Sequence, residues 1–131
     1  MNPKARLLLW SPVALLLAFE FYLSSQSNLP TLPGFSFPQV DKLEHAAYFF
    51  LMAACATRAA RFGERWPLTR TRVTLLIAAL IYGTLDEYHQ SFVPHRAVEA
   101  ADVAADVFGV LMATLIAEPI WKRLKLDKTV R

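Results

Sequence analysis

Apolar residues in this chain fall into blocks, and polar residues collect between the blocks and at their ends. Leu7–Leu23 is apolar except for Ser11, Pro12 and Glu20, and Ala46–Ala60 is apolar and rich in small residues. A third block centres on Val73–Ile81, and a fourth runs from about Ala100 to Ile120. Runs this long and continuous point to membrane-spanning helices rather than to amphipathic helices of a soluble domain. The pattern predicts helices over about residues 7–23, 42–60, 73–90 and 100–120. A cleaved signal peptide is the rival reading of the first block. The block outruns the usual signal-peptide core, however, and Ser24-Ser25-Gln26-Ser27 offers no A-x-A site, so an uncleaved span is favoured. Between the first two blocks, Pro30, Pro33, Gly34 and Pro38 mark a loop over 24–39.

Composition agrees with the blocks. Of 131 residues, 55% are hydrophobic and 19% charged, and mean hydropathy is +0.31. This is apolar for a soluble domain. A net charge of +3 and a pI near 9.2 raise the question of nucleic acid. The basic residues flank the apolar runs, with no recognisable nucleic-acid fold, so they read as membrane flanks and no nucleic-acid partner is expected. The single Cys55 rules out an internal disulfide and reads as a small packed hydrophobe.

Charge also orients the helices. Lys and Arg crowd the N-terminus, the connection with Arg61, Arg65, Arg70 and Arg72, and the tail with Lys122, Arg123, Lys125, Lys128 and Arg131. The first connection has none up to Gln39, and the third has only Arg96. The positive-inside rule then predicts an all-α bundle of four transmembrane helices with both termini cytoplasmic. Trp10, Trp66 and Trp121 fall at the inner interface on that assignment, as an aromatic belt does.

The stretch with the most chemistry is Tyr82–Arg96, YGTLDEYHQSFVPHR. Ionisable groups at the end of an apolar helix are expensive to desolvate and mark a functional site by default. Helical spacing puts Gly83, Glu87 and Gln90 on one face and Tyr82, Asp86 and His89 on another. Pro94 stops the helix, leaving Arg96 at its rim. The other helices send groups to the same end. Asp41, His45, Tyr48 and Met52 share a face of the second helix, and Asp102, Asp106 and Gly109 share a face of the fourth. Asp41 with Glu44 also has the pattern of a capping box, so capping is its competing role. Ser25, Gln26, Lys42 and His89 complete the outer set. Helix caps and mutual neutralisation would account for such a lid without any function.

Taken in order, these residues resemble the VanZ-like family: Ser24-Ser25-Gln26, then Asp41-Lys42-x-x-His45-x-x-Tyr48, then Asp86-Glu87-x-x-Gln90-x-Phe92-Val93-Pro94-x-Arg96, then Asp102-Val103 followed at Gly109. The resemblance runs from about Leu16 to Leu115 and implies one VanZ-like domain over residues 1–131. It implies a small multi-pass protein of the bacterial cytoplasmic membrane, in a family named for a member that confers resistance to teicoplanin. It supplies a family rather than a reaction. Two positions depart from the family pattern: His95 stands where Gly is usual, and Asp106 where Asn is usual.

The expected function is recognition or modification of a cell-envelope component through an outward-facing polar pocket, with membrane lipids or a lipid-linked precursor as partners. His45, Glu87 and Asp102 are the candidate catalytic residues, moving and orienting protons, with His89 an alternative to His45. Ser25, Gln26, Asp41, Lys42, Tyr48, Asp86, Gln90, Arg96 and Asp106 are the candidate binding residues, Arg96 and Lys42 gripping phosphate or carboxylate. Arg96 is expected within direct or water-bridged contact of Glu87 and Asp102, because an unpaired charge at membrane depth is strongly unfavourable. No nucleophile elbow, HExxH or phosphate-cradling glycine loop is present, which leaves catalysis open. A proton-coupled transporter using Glu20 and a structural membrane subunit are the alternatives. A metal site from His45, His89 and His95 lacks a close-spaced ligand pair, so neither metal nor cofactor is expected. Oligomeric state stays open.

Overall fold

The computed structural model describes residues 2–28 and 39–124. The Pro-rich part of the predicted first loop and the end of the basic tail lie outside the described residues. Four α-helices follow one another: α1 Pro3–Ser24, α2 Val40–Arg58, α3 Leu68–Gln90 and α4 Ala100–Arg123. A π-helical turn, Ala59–Gly63, prolongs α2. Among the described residues there is no strand.

Helix starts differ from the apolar blocks because backbone chemistry, not hydropathy, sets them. α1 begins at Pro3, where a missing N–H costs nothing, and the Asn2 side chain accepts from Lys4 N at 3.0 Å. α3 begins at Leu68, directly after Pro67, whose carbonyl takes both the amide and the hydroxyl of Thr71. The capping box expected at Asp41 and Glu44 is not formed. Gln39, with φ 72°, is the N-cap of α2, which places Asp41 inside the first turn, bonded to Lys42. Pro12 lies inside α1 and removes the donor that Leu8 O would otherwise receive. The Ser11 hydroxyl reaches that carbonyl at 3.2 Å instead, as a helix in lipid requires.

α1, α3 and α4 are each long and apolar enough to cross a membrane. α2 is not, because Asp41, Lys42, Glu44 and Arg58 sit on it. It is sheltered instead: Phe49, Met52, Ala53, Ala54, Ala56 and Thr57 are buried among the other helices. The exterior is apolar, with Leu8, Leu15, Ile77, Leu85, Phe108 and Leu115 exposed, while Glu20, Asp86, Glu87, Asp102, Asp106 and Glu118 are buried. That distribution is the reverse of a soluble protein's and suits a lipid surround.

The most extensive packing joins α2 to α4, which run in the same direction. Lys42 meets Asp102, His45 meets Asp106, Gly109 meets Ala46, and Trp121 Nε1 donates to Ala54 O at 3.1 Å. Ala53 and Ala56 of α2 and Ala113 and Ala117 of α4 are buried. Small residues let two backbones approach, and van der Waals contact then holds helices that lipid gives no hydrophobic reason to associate. α3 runs antiparallel to α4, while α1 and α3 pack loosely and meet mainly through the side chains of Tyr82 and His89.

The end opposite Arg96 is tied by charge. Arg61 grips Glu118 with two nitrogens (2.6 and 2.9 Å) and also donates to Trp66 O, while Lys122 Nζ lies 2.7 Å from the same carboxylate. Arg6 and Trp10 both donate to Glu64, and these donors, Arg6 first, hold its carboxyl below the usual range. The Arg70 guanidinium stacks over Trp66 at 4.1 Å. All three tryptophans lie at this end, as the belt pattern anticipates.

Gly109 is where the seam is tightest, since a Cβ there would come within 2.2 Å of Ala46 O. Gly109→Ala must push the two backbones apart and is expected to cost about 3 kcal/mol, as overpacking of a close contact does. Thermal unfolding in detergent, with lipid-facing Leu115→Ala as a control that stays near wild type, checks it.

Candidate functional site

The polar groups of all four helices converge at the end of the bundle that carries Arg96. Each helix presents part of the cluster, α3 from two of its faces. On α3, the Gly83 face turns to α4 and the Tyr82 face to α1. Gly83 leaves room for Asp106: a Cβ on it would lie 2.7 Å from the Asp106 carboxylate oxygen. One turn on, Glu87 accepts from the Glu99 amide at 2.7 Å, which anchors the start of α4. On the other face, the Tyr82 hydroxyl donates to Glu20 at 2.7 Å, and His89 Nε2 lies 3.0 Å from Ser25 Oγ with its ring stacked on Phe21. Asp86 and Gln90 are buried and bond each other at 2.6 Å.

Two basic groups of α2 meet the two acids of α4. Lys42 Nζ stands 2.8 Å from Asp102 Oδ1, an ionic contact whose angle is poor for a hydrogen bond, and also touches Asp41 (2.7 Å) and Glu99 (2.6 Å). His45 Nδ1 lies 2.9 Å from Asp106 Oδ1. Lys42 and His45, three residues apart on one helix, thus each meet one of Asp102 and Asp106, four residues apart on its parallel neighbour. Repulsion between the two carboxylates is met by a separate partner for each.

The expected contact of Arg96 with Glu87 and Asp102 is not a direct ion pair: among the described residues Arg96 pairs with neither, and the cation on Asp102 is Lys42. The reason is the turn after α3. Successive amide bonds from Ser91, Phe92 and Val93 curl the chain back, and Pro94 and His95 (φ 65°) redirect it. Arg96 therefore borders a small pocket together with Glu20, Ser24, Glu44, His45 and Tyr48. Its Nε is buried with no hydrogen-bond partner among the described residues, as are Asp86 Oδ1 and Glu87 Oε1. Buried polar atoms ordinarily find partners, so unmatched ones of both kinds in one cluster are notable.

Other expected site residues have structural work. Lys42 is engaged by three carboxylates and is not available to grip a ligand phosphate as Arg96 is. Gln26 donates to Tyr22 O at the end of its own helix, and the Tyr48 hydroxyl donates to Leu16 O at 2.6 Å while its ring borders the pocket. Glu20, Glu44 and Glu99 belong to the site but were not among its expected members. Glu20 reads from sequence as a residue near the outer end of the first span, facing the bundle or the interface, and helix packing buries it. Among the described residues no three His, Cys, Asp or Glu side chains stand together as a metal site. His45 and His89 are held in separate contacts, and His95 is exposed.

An apolar-surfaced helical protein with buried charges gathered into a pocket at one end is, by class, a membrane protein with a polar site formed between its helices. The VanZ/LLP1 family profile matches residues 5–122, and the chain belongs to that family. No curated protein and no solved structure matches it.

The positive φ at His95 gives the family's usual glycine a physical reason. A left-handed backbone costs an L-residue about 1–2 kcal/mol that glycine does not pay. His95→Gly is expected to exceed His95→Val in stability by at least about 1 kcal/mol, a β-branched side chain being worst there. Comparative thermal unfolding of the two variants reads the difference, and equal stability would contradict it.

Proposed function

We propose that the chain is a four-span protein of the bacterial cytoplasmic membrane whose Arg96 end faces outward and recognises or modifies an anionic envelope component. Three helices reach spanning length and apolarity on their own, and α2, sheltered between them, crosses with them. The basic end then lies in the cytoplasm with both termini. The observation that carries the site is the pocket in which Arg96 stands beside the His45–Asp106 pair. Arg96 supplies a fork for phosphate or carboxylate. Asp106 holds His45 through Nδ1, leaving Nε2 to accept or donate a proton to a bound group, as a carboxylate-oriented imidazole does. Glu87 fastens the start of α4 and Asp102 holds Lys42, so both serve positioning more directly than proton transfer. A role in glycopeptide resistance of the teicoplanin type follows as an expectation from the family, through capture or alteration of an envelope precursor.

The test uses purified protein and phosphate-labelled envelope lipids. Arg96→Gln is expected to weaken binding about 10- to 100-fold, the worth of a charge-assisted hydrogen bond. Asp106→Asn is expected to bind within about threefold of wild type, since the Asn oxygen still accepts from His45 Nδ1–H. Undiminished binding by Arg96→Gln, at equal membrane expression, would overturn the assignment.

One observation favours a second reading. Glu20 is a buried carboxylate in the first span, bonded to Tyr82 and open to the pocket, as a proton-coupled carrier requires. If the protein is such a transporter, substrate-driven proton flux in vesicles disappears in Glu20→Gln. Absence of any such flux in wild type removes this reading.

A further inference from the structure

Below the polar pocket lies a second, larger cavity of about 410 Å³, lined almost wholly by apolar side chains. It fills the space left because α1 and α3 pack loosely: Val13 and Leu17 form one wall, Leu75 and Ala79 the other, with Ala53 of α2 at its back. Ala78, Ile81 and Leu85, all exposed, stand at its mouth on the lipid-facing side of α3. The wall from Leu75 to Leu85 is ~15 Å long at helical rise, about half of a bilayer's hydrocarbon thickness.

The two cavities adjoin. Phe49 lines both, and Tyr82 places its ring in the apolar cavity while its hydroxyl donates to Glu20, which borders the polar one. Apolar space open toward the acyl region therefore leads directly to a pocket with a buried, unmatched guanidinium nitrogen.

We infer that the occupant is a single anionic phospholipid, one acyl tail in the crevice between α1 and α3 and its headgroup at Arg96. This deepens the reading of the polar pocket and rests on it. A soluble anion uses Arg96 and has no need of the crevice; a bulk-lipid tail covers the crevice and has no need of Arg96. Only an amphiphile entering sideways from the membrane uses both. Tyr82 and Phe49 then mark the joint between tail and headgroup.

The experiment places the full chain in phosphatidylcholine nanodiscs containing a trace of phosphatidylglycerol with a diazirine halfway along one acyl chain. After irradiation, labelled residues are mapped by mass spectrometry. The expected label falls on the α2 and α3 segments that carry Ala53 and Ala79. Ala79→Trp, filling the crevice, and Ala78→Trp, blocking its mouth without entering the core, each reduce that label at least tenfold. Label on the outer face of α4 around Leu115 stays unchanged. Arg96→Gln reduces crevice labelling by the phosphatidylglycerol probe at least fivefold and leaves labelling by a phosphatidylcholine probe as it was.

Label spread evenly over the exterior and indifferent to both Trp variants overturns the crevice. If Arg96→Gln still abolishes binding of the phosphate-labelled lipids in that case, the headgroup reading stands alone. Crevice labelling that does not depend on Arg96 overturns joint occupancy and removes support from the anion reading. Cross-links from the crevice to a second copy of the chain make it an oligomer interface and overturn the proposal as well.

Discussion

The close approach of α2 to α4 is the constraint on which the rest depends. At Gly109 the two backbones lie so near that a single added carbon would meet the Ala46 carbonyl. In lipid, such contact supplies the attraction that hydrophobicity supplies in water. It also fixes the axial register of the two helices. Because that register is fixed, Lys42 lands on Asp102 and His45 on Asp106. A slip of one residue would strand two buried acids without partners, at a cost of several kcal/mol for each unpaired charge.

The same register explains why a helix too polar to span alone takes its place inside. α2 carries the two basic groups that the acids of α4 need, and the other helices shield it in return. At the Arg61 end, Glu118 is gripped by Arg61 and Lys122, so the bundle is locked by charge at both ends and by small residues between. The middle is left loosely closed between α1 and α3, where the apolar cavity lies.

Deviations from the family pattern fall at positions with identifiable physical demands. His95 occupies a left-handed turn that glycine fits with less strain. Asp106 occupies a place where an acceptor for His45 is needed and where Gly83 has withdrawn its side chain to make room. Asn and Asp both accept there, so the substitution preserves the contact while adding a charge that His45 can answer.

Helix number, the burial-prone acids and the gathering of Ser25, His45, Glu87, Arg96, Asp102 and Asp106 at one end were all legible in the sequence. Hydropathy blocks and helical spacing are local properties, and they survive whatever packing follows. Partner choice was not legible. Spacing along one helix says which residues share a face, but not which face of a neighbour they meet. Hence Arg96 was expected beside Asp102, directly or through water, and the direct ion pair there is made by Lys42. Glu20 was expected to face the bundle or the interface, and a lone acid near the end of an apolar run does not say which. Tyr82 and the small pocket around Arg96 show its place only after the helices are packed. The crevice had no signature at all. It is space left where two helices meet through Tyr82 and His89 but do not pack closely along the rest of their length, and only tertiary structure decides where helices stay apart.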